Sequence, residues 1–257
     1  VKDLGDLQRL DPIRLVDQRR RRDLCRVQDT GPGPRAELLV ETSWLAEHLN
    51  DDDVRIIDCD PAEVAMAREH IPGAAILPVH PYFRNTETGA GVATASQAET
   101  ILRGLGVSNG TRVICYDTQG GLLAARVWWV LWYHGHTNAA VLNGGLPAWQ
   151  ADGQPTIREW ATPAPGDFTA TTHDDRIAAC DVMLPQIQSG DLLPLDVRAQ
   201  QEWDGSTPNP ANQQEGHIPG AVHIEWREFV NWDNATRCET AAELRELLEA
   251  KGVSRDK

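Results

Sequence analysis

The sequence lacks the features that place a chain on a membrane, on nucleic acid or in a disulfide-bonded scaffold. No apolar run approaches the roughly 20 residues of a membrane-spanning helix. The five cysteines are scattered, odd in number and without a C-x-x-C pair, which argues against a disulfide framework and a zinc site. The 38 acidic residues outnumber the 24 basic ones, and a net charge of −14 does not suit nucleic acid, which binds a basic face.

The N-terminal residues and the cysteine usage favour the cytoplasm. The first residues show no charged-apolar-small pattern of a secretory leader, and the cysteine usage indicates a reducing environment. We therefore expect a cytoplasmic protein that binds neither nucleic acid nor membrane and holds no metal.

What is present is enough apolar content for a real core. Hydrophobic residues make up 41% of 257 positions and include nine Trp, which suits one large or two ordinary domains. Residues 1–36 differ, because they contain "QRRRRDLCR" (18–26) with interleaved Asp and end in the breaker-rich "TGPGPR" (30–35). We interpret 1–36 as an extension outside the fold, expected to be disordered, with a nucleic-acid or targeting arm as the alternative.

An internal repeat organises the remainder. "REHIPGAAILPV" (68–79) and "EGHIPGAVHIEW" (215–226) share an identical His-Ile-Pro-Gly-Ala pentamer. Each copy follows a short apolar run that ends in Asp, "VRIIDCD" (54–60) and "DLLPLDVR" (191–198), as buried parallel strands do. The sequence therefore predicts a duplicated α/β domain, with parallel sheets flanked by helices at 37–158 and 171–257 and a Pro-rich linker at 159–170.

The second copy stops earlier than the first. The first continues past Gly106 into a buried strand, "TRVICYD" (111–117), a loop and an apolar helix. Since Gly106 corresponds to Gly252, the counterpart of Asp117 would lie about six residues beyond Lys257. We expect the second domain to be incomplete before this strand and to expose apolar surface near Leu244, Leu247 and Leu248.

Taken together, these residues resemble the rhodanese family of sulfurtransferases in its tandem form. The similarity covers roughly 38–257 and rests on the doubled HIPGA, the preceding strand-Asp, "RVWWVLWYHGH" (126–136) and "VLNGGLPAW" (141–149). The resemblance implies a non-catalytic first domain and a second domain with a cysteine at a strand end, in a loop whose N–H groups point inward. It also implies a small anionic sulfur donor, thiosulfate or 3-mercaptopyruvate, a thiophilic acceptor such as cyanide or a thiol, and no cofactor.

The chemistry explains why such a loop is needed. A thiolate must attack the outer sulfur of the donor and hold it as a persulfide. Convergent amides and a helix N-terminus lower a cysteine pKa and bind the anionic donor. The carboxyl end of a parallel strand is where open α/β sheets bind ligands.

In the first copy, the loop position holds a carboxylate. Asp117 stands where the nucleophile would be and cannot carry sulfane sulfur. Cys115, two residues earlier, is either a displaced nucleophile or a small hydrophobe packed within the strand, and we favour the second. We interpret the loop as a degenerate one, formed by Asp117, Thr118, Gln119, Gly120 and Gly121.

Three residues remain as site candidates. By resemblance, Arg198 helps to bind the donor anion, and the alternative is a surface pair with Glu202 or Glu215. His70 and Asp58 are candidates for the border of the interdomain cleft, where they would assist proton transfer. Their alternative role is structural, holding the turn around HIPGA.

The leading functional hypothesis is a sulfurtransferase that works through a cysteine persulfide. This 257-residue chain is predicted to be inactive, because the catalytic cysteine is absent from it. The alternative is a non-catalytic rhodanese-like module that binds anions or a partner protein. A cysteine-dependent phosphatase ranks last, because it needs a longer loop after a cysteine.

Overall fold

The computed structural model describes residues 38–80, 82–89, 91–207 and 214–253. These residues belong to one compact unit that spans positions 34–257. The interpretation of residues 1–36 lies outside the described residues. No helix in the described ranges is both long and apolar enough to span a bilayer.

The first half contains a five-stranded sheet in which every pair is parallel. The strand order is β1-β5-β4-β2-β3, so β4 lies at the centre. The two predicted buried strands, β2 and β4, are confirmed and pair along their whole length. The strands are β1 (Leu39–Val40), β2 (Val54–Asp58), β3 (Ala74–Ile76), β4 (Arg112–Tyr116) and β5 (Ala139–Leu142).

Helices cover both faces of this sheet. Alternate residues of a strand point to opposite faces, so β4 directs Val113 and Cys115 into one buried cluster and Ile114 and Tyr116 into another. The first cluster also includes residues of α3 and α4, and the second includes residues of α1 and α5. The helices are α1 (Thr42–His48), α2 (Ala62–Met66), α3 (Ala95–Gly104), α4 (Leu122–Tyr133) and α5 (Gly145–Ala151).

The second half has shorter strands. A parallel pair, β6 with β7, and an antiparallel pair, β8 with β9, are its strands among the described residues. Two 3-10 turns occur at Asp174–Arg176 and Trp226–Phe229. The other elements are α6 (Cys180–Ser189), β6 (Leu195–Asp196), α7 (Gln200–Trp203), β7 (Val222–His223), β8 (Val230–Asn231), β9 (Arg237–Cys238) and α8 (Ala241–Ala250).

The strand predicted in "DLLPLDVR" and its parallel pairing are confirmed, but its predicted burial is wrong. β6 has only two residues, and Leu195 is 38% exposed, whereas Ile57 of β2 is fully buried. The physical reason is pairing, because β2 lies between two strands and β6 pairs with β7 alone in the described ranges. No residue of α8 is buried, but the three leucines predicted to be exposed are half-buried, so that prediction is confirmed only in part: Leu244, Leu247 and Leu248.

The segment predicted as a linker packs on the first sheet's layers. Phe168 is buried in the first core cluster, and its N–H donates to the Val107 carbonyl at 3.1 Å. The Ala161 N–H donates to the Ala74 carbonyl at the same distance. Residues 159–170 therefore form neither helix nor strand, yet they are held by the first half.

Candidate functional site

Polar residues lie at the carboxyl ends of three neighbouring parallel strands. Asp58 is the last residue of β2, Asp117 follows β4, and Asn143 follows β5. Parallel pairing of these strands brings the three positions to one edge of the sheet. We call this edge the carboxyl edge, and it is the edge at which open α/β sheets bind ligands.

The Asp117 carboxylate lies in a cradle of backbone amides. Its Oδ1 accepts from the N–H groups of Gln119 and Gly121, both at 2.9 Å. Its Oδ2 accepts from Leu123 at 2.8 Å and Ala124 at 2.9 Å, in the first turn of α4. The side chain is fully buried, and the positive end of the helix dipole favours its negative charge. The first domain therefore builds an anion cradle and fills it with its own carboxylate.

A glycine lets α5 approach this cradle. A Cβ on Gly145 would lie 2.1 Å from the Asp117 carbonyl oxygen, and the residue has a φ of +55°. The same carbonyl accepts from the Leu146 N–H at 3.0 Å. The "NGG" that follows β5 thus has a structural reason, because any larger side chain at Gly145 would collide with the loop backbone.

The side chains of the loop are tied to the turn after β2. The Thr118 hydroxyl donates to Asp60 Oδ2 at 2.8 Å, and Gln119 Nε2 donates to Oδ1 at 3.3 Å. Arg68 Nη2 donates to the same Oδ2 at 2.7 Å and to Asp58 Oδ1 at 3.0 Å. Asp60 thus joins the two loops, a role that the sequence signalled only by a second Asp in "DCD".

Asp58 and His70 both lie inside the first domain. Burial raises the pKa of Asp58, and its ion pair with Arg68 opposes that effect. The His70 ring is buried and stacks on Trp160, with ring centroids 3.5 Å apart. Its Nδ1 donates to the Ile71 carbonyl at 3.0 Å, and its Nε2 has no hydrogen-bond partner in the described part of the chain. Their suggested role in proton transfer stays a prediction.

Arg198 makes a bidentate ion pair with Asp196. Its Nε donates to Asp196 Oδ1 at 3.0 Å and its Nη2 to Oδ2 at 2.6 Å, while Nη2 also donates to the Gly216 carbonyl at 2.9 Å. These bonds lower the pKa of Asp196 and raise that of Arg198. The main partner is thus the strand-Asp, and not Glu202 or Glu215. About a third of the arginine side chain stays exposed.

The second HIPGA copy is more open than the first. His217 is exposed and stacks on Trp203 at 3.5 Å, and its Nδ1 donates to the Trp203 carbonyl at 3.0 Å. His223 also stacks on Trp203, with ring centroids 4.8 Å apart, and donates from Nε2 to the Arg198 carbonyl at 2.8 Å. An aromatic and imidazole stack therefore supports the backbone that carries Arg198.

A hairpin from the second half covers part of the carboxyl edge. We call β8, β9 and their connection, residues 230–238, the docking hairpin. Cys238 N–H donates to Asn143 Oδ1 at 2.8 Å, and the Thr236 hydroxyl donates to the Gly144 carbonyl at 3.0 Å. Arg237 pairs with Asp152 at 2.6 Å. These two-residue strands have no periodic signal, so the sequence did not predict the contact.

The described cysteines differ in environment. Cys59 and Cys115 are fully buried in the first core cluster, and burial raises the pKa of Cys59 well above its ordinary value. Cys180 is exposed, and Cys238 is half-buried in the docking hairpin. The residue seated in the amide cradle of the first domain is a carboxylate and not a thiol.

Fold and site together define an α/β protein with an anion cradle at the carboxyl edge of a parallel sheet. A family model described as Rhodanese-like domain matches residues 41–152 and 181–256. The chain belongs to the rhodanese family. The predicted resemblance and the fold class, α/β with a parallel sheet flanked by helices, are therefore confirmed. The incompleteness of the second domain stays a prediction.

Named relatives share most of the chain. It is 34% identical over 231 residues to the sulfur carrier protein TtuD of Thermus thermophilus, covering 86% of this chain and 80% of the relative. It is 32% identical to the thiosulfate sulfurtransferase of Pseudomonas aeruginosa, with the same coverage. The crystal structure of SseA from Escherichia coli, a 3-mercaptopyruvate sulfotransferase, superposes with a TM-score of 0.73 at 25% identity and 85% coverage of both chains.

Proposed function

We propose that this chain is part of a sulfurtransferase that moves sulfane sulfur from thiosulfate or 3-mercaptopyruvate to cyanide or a thiol. The observation that carries the proposal is the amide cradle around Asp117, in which four N–H groups converge on one anion at a strand end. The same cradle around a cysteine in the second copy would ionise the thiol and attract an anionic donor. The sulfurtransferase names of the relatives support the same reaction class.

The proposed reaction has two balanced steps. The thiolate attacks the outer sulfur of thiosulfate, the S–S bond breaks, and sulfite leaves with the bonding electron pair. With 3-mercaptopyruvate, the C–S bond breaks instead, and the pyruvate carbanion takes up a proton. Cyanide then attacks the outer sulfur of the persulfide, thiocyanate leaves, and the thiolate is regenerated.

We assign the nucleophile to a position outside these 257 residues. In the first domain the cradle is occupied by Asp117, and Cys115 is enclosed in the core. From the repeat register, we infer that the counterpart of Asp117 lies about six residues after Lys257. On this proposal, residues 1–257 alone form no persulfide at the cradle.

We infer that Arg198 contributes to donor binding. Its guanidinium is held at the carboxyl end of β6 by Asp196, and about a third of the side chain is exposed. A planar fork of N–H groups suits an oxyanion. His70 and Asp58 are proposed as supports of the turn between β2 and β3, since both are enclosed there.

A thiocyanate assay tests the assignment of the nucleophile. With thiosulfate and cyanide, we expect no thiocyanate from the 257-residue polypeptide. The polypeptide extended through its natural coding sequence should form thiocyanate and gain the mass of one sulfur atom at a cysteine after Lys257. Turnover by the 257 residues that disappears in Cys115→Ser would contradict the inactive first domain. An in-frame stop directly after Lys257 would favour a non-catalytic module.

A second assay tests Arg198 in the extended polypeptide. Arg198→Gln should raise KM for thiosulfate at least tenfold, because a charge-assisted contact to the donor is lost. Arg245→Gln, which removes an exposed charge from α8, is the matched control and should leave KM unchanged. Equal KM values for both variants would remove Arg198 from the donor site.

A further inference from the structure

A cavity of about 610 Å³ lies along the last two turns of α4. Its other walls are residues 91–95, which lead into α3, together with Thr172 and residues 176–178. None of its lining residues belongs to residues 117–121 or to the Asp196–Arg198 pair. Its volume is in the range of small-molecule sites, roughly 300–1,000 Å³.

One guanidinium in this cavity, that of Arg126, donates to two neutral carbonyl oxygens. Arg126 donates from Nε to the Tyr82 carbonyl at 2.9 Å and from Nη2 to the Gly91 carbonyl at 3.4 Å. Its Cζ lies 4.7 Å from the centre of the Trp129 ring. Burial and the nearby Arg84 lower the pKa of Arg126. An arginine that is half-buried and repelled by another arginine would gain from an anion.

A second guanidinium lines the same cavity. Arg176 donates from Nη1 to the Trp132 carbonyl, and its Cζ lies 3.9 Å from the centre of the Trp132 ring. Burial lowers the pKa of Arg176, and Asp175 opposes this effect. Asp175 Oδ1 also lies 3.9 Å from His173 Nδ1.

The remaining polar side chains of the cavity are internally satisfied. The Tyr133 hydroxyl donates to Asp174 Oδ1 at 3.0 Å. His134 donates from Nε2 to the Ala93 carbonyl at 2.9 Å and accepts the Thr172 hydroxyl at Nδ1, at 3.2 Å. Burial lowers the pKa of His134, so the ring is neutral at pH 7. The positive charge in the cavity therefore comes from the arginines.

We propose that this cavity binds a small organic anion, a carboxylate or comparable oxyanion on a flat apolar body. Arg126 and Arg176 would hold the oxyanion, because a guanidinium presents paired N–H groups that match two oxygens. The apolar body would lie against Trp129, Val92 and Ile177, which line the cavity. The positive end of α3, capped by Thr94, adds a favourable dipole.

Calorimetric titration of the 257-residue chain tests the site. Sodium benzoate combines an oxyanion with a flat ring, and inorganic phosphate carries charge alone. Benzoate should bind saturably at one site and at least several-fold more tightly than phosphate. Arg126→Gln and Arg176→Gln should each weaken benzoate binding at least tenfold. Arg158→Gln removes an exposed charge outside the cavity and should leave the affinity unchanged, as should Arg198→Gln.

A steric variant separates binding from folding effects. Ala178 is an exposed lining residue, so Ala178→Trp should fill the cavity, abolish benzoate binding and keep the thermal midpoint. Absence of saturable benzoate binding would overturn the proposal, as would binding that all three cavity variants leave intact. Equal affinity for phosphate would overturn the assignment of an apolar body. Since Arg198→Gln is a control here, failure of this site is distinguishable from failure of the sulfurtransferase proposal.

Discussion

The aspartates at the ends of β2 and β6, Asp58 and Asp196, have pKa values shifted in opposite directions. Asp58 is fully buried at the end of β2, and desolvation raises its pKa. Asp196 stands at the same repeat position at the end of β6, and hydrogen bonds from Arg198 lower its pKa. The cause is the neighbouring strand, since β4 packs beside β2, whereas β6 pairs with β7 alone in the described ranges. The pKa of an aspartate at the same repeat position therefore depends on how many strands surround it.

A carboxyl carbon NMR titration should resolve this difference, with a higher midpoint for Asp58 than for Asp196. Arg198→Gln should raise the Asp196 midpoint towards its ordinary value, because the main stabilising donor is lost. The depressed pKa of Asp196 contributes stability above the unfolded pKa, and this is lost as pH falls through the folded pKa. Asp58 acts oppositely, as its contribution is lost when pH rises through its raised folded pKa. Equal midpoints would contradict the assignment.

The cradle makes Asp117 a structural residue of the first domain. Asp117→Ala leaves four N–H groups without their acceptor. Each unsatisfied buried group costs about 1–3 kcal/mol, so the free energy of unfolding should fall by at least about 3 kcal/mol. Urea unfolding at pH 7 measures this change.

Two further variants serve as comparisons for the urea unfolding of Asp117→Ala. Asp117→Asn keeps one acceptor oxygen but turns an NH₂ group towards two donors, so its loss should be intermediate. Asp53→Ala removes an exposed carboxylate one residue before β2 and should change the urea midpoint little. An unchanged midpoint in Asp117→Ala would show that water satisfies the cradle as well as the carboxylate does.

Among the secondary-structure elements, the sequence predicted those that belong to the internal repeat or carry a periodic apolar pattern. β2 and β4 were readable as apolar runs, because each is buried on both faces. β6 carries a similar run, but burial depends on neighbouring strands that a local pattern does not reveal. The docking hairpin and Asp60 were missed for a related reason, since two-residue strands and single side chains have no period. The Arg198 contact to Asp196 spans two residues, and the sequence did not distinguish it from other acidic partners.

The turn glycines differ in what surrounds them, and substitution should show it. Gly73, in the HIPGA turn, has a φ of +78°, and an added Cβ would make only an ordinary contact. Gly73→Ala should therefore cost about 1 kcal/mol from backbone strain alone. Gly145→Ala adds a collision with the Asp117 carbonyl and should cost on the order of 3 kcal/mol. Thermal unfolding of both variants gives the comparison, and equal losses would contradict the close approach of α5.

At the scale of the whole molecule, buried structure is concentrated in the first half. Its sheet has apolar clusters on both faces, and the segment 159–170 packs onto one through Phe168 and onto the other through Trp160. The second half exposes several apolar side chains and contacts the first through the docking hairpin. Its exposed apolar side chains of 38–54% accessibility include Val182, Leu184, Leu195, Val197 and Ile218.

Hydrogen exchange should report this division directly. Amides of β2 and β4 lie inside a five-stranded sheet, so they should exchange only through global unfolding. Amides of β6 and β7 belong to a two-stranded pair and should exchange at least about a hundredfold faster, through local opening that costs less free energy. Arg237→Ala removes the ion pair to Asp152 and should speed exchange of the Cys238 amide while β4 is unchanged, because only the hairpin loses a contact. Equal protection of β4 and β6 would mean that contacts other than those of the short strands stabilise the second half. The conclusion that the first half is the more stable one would then be wrong.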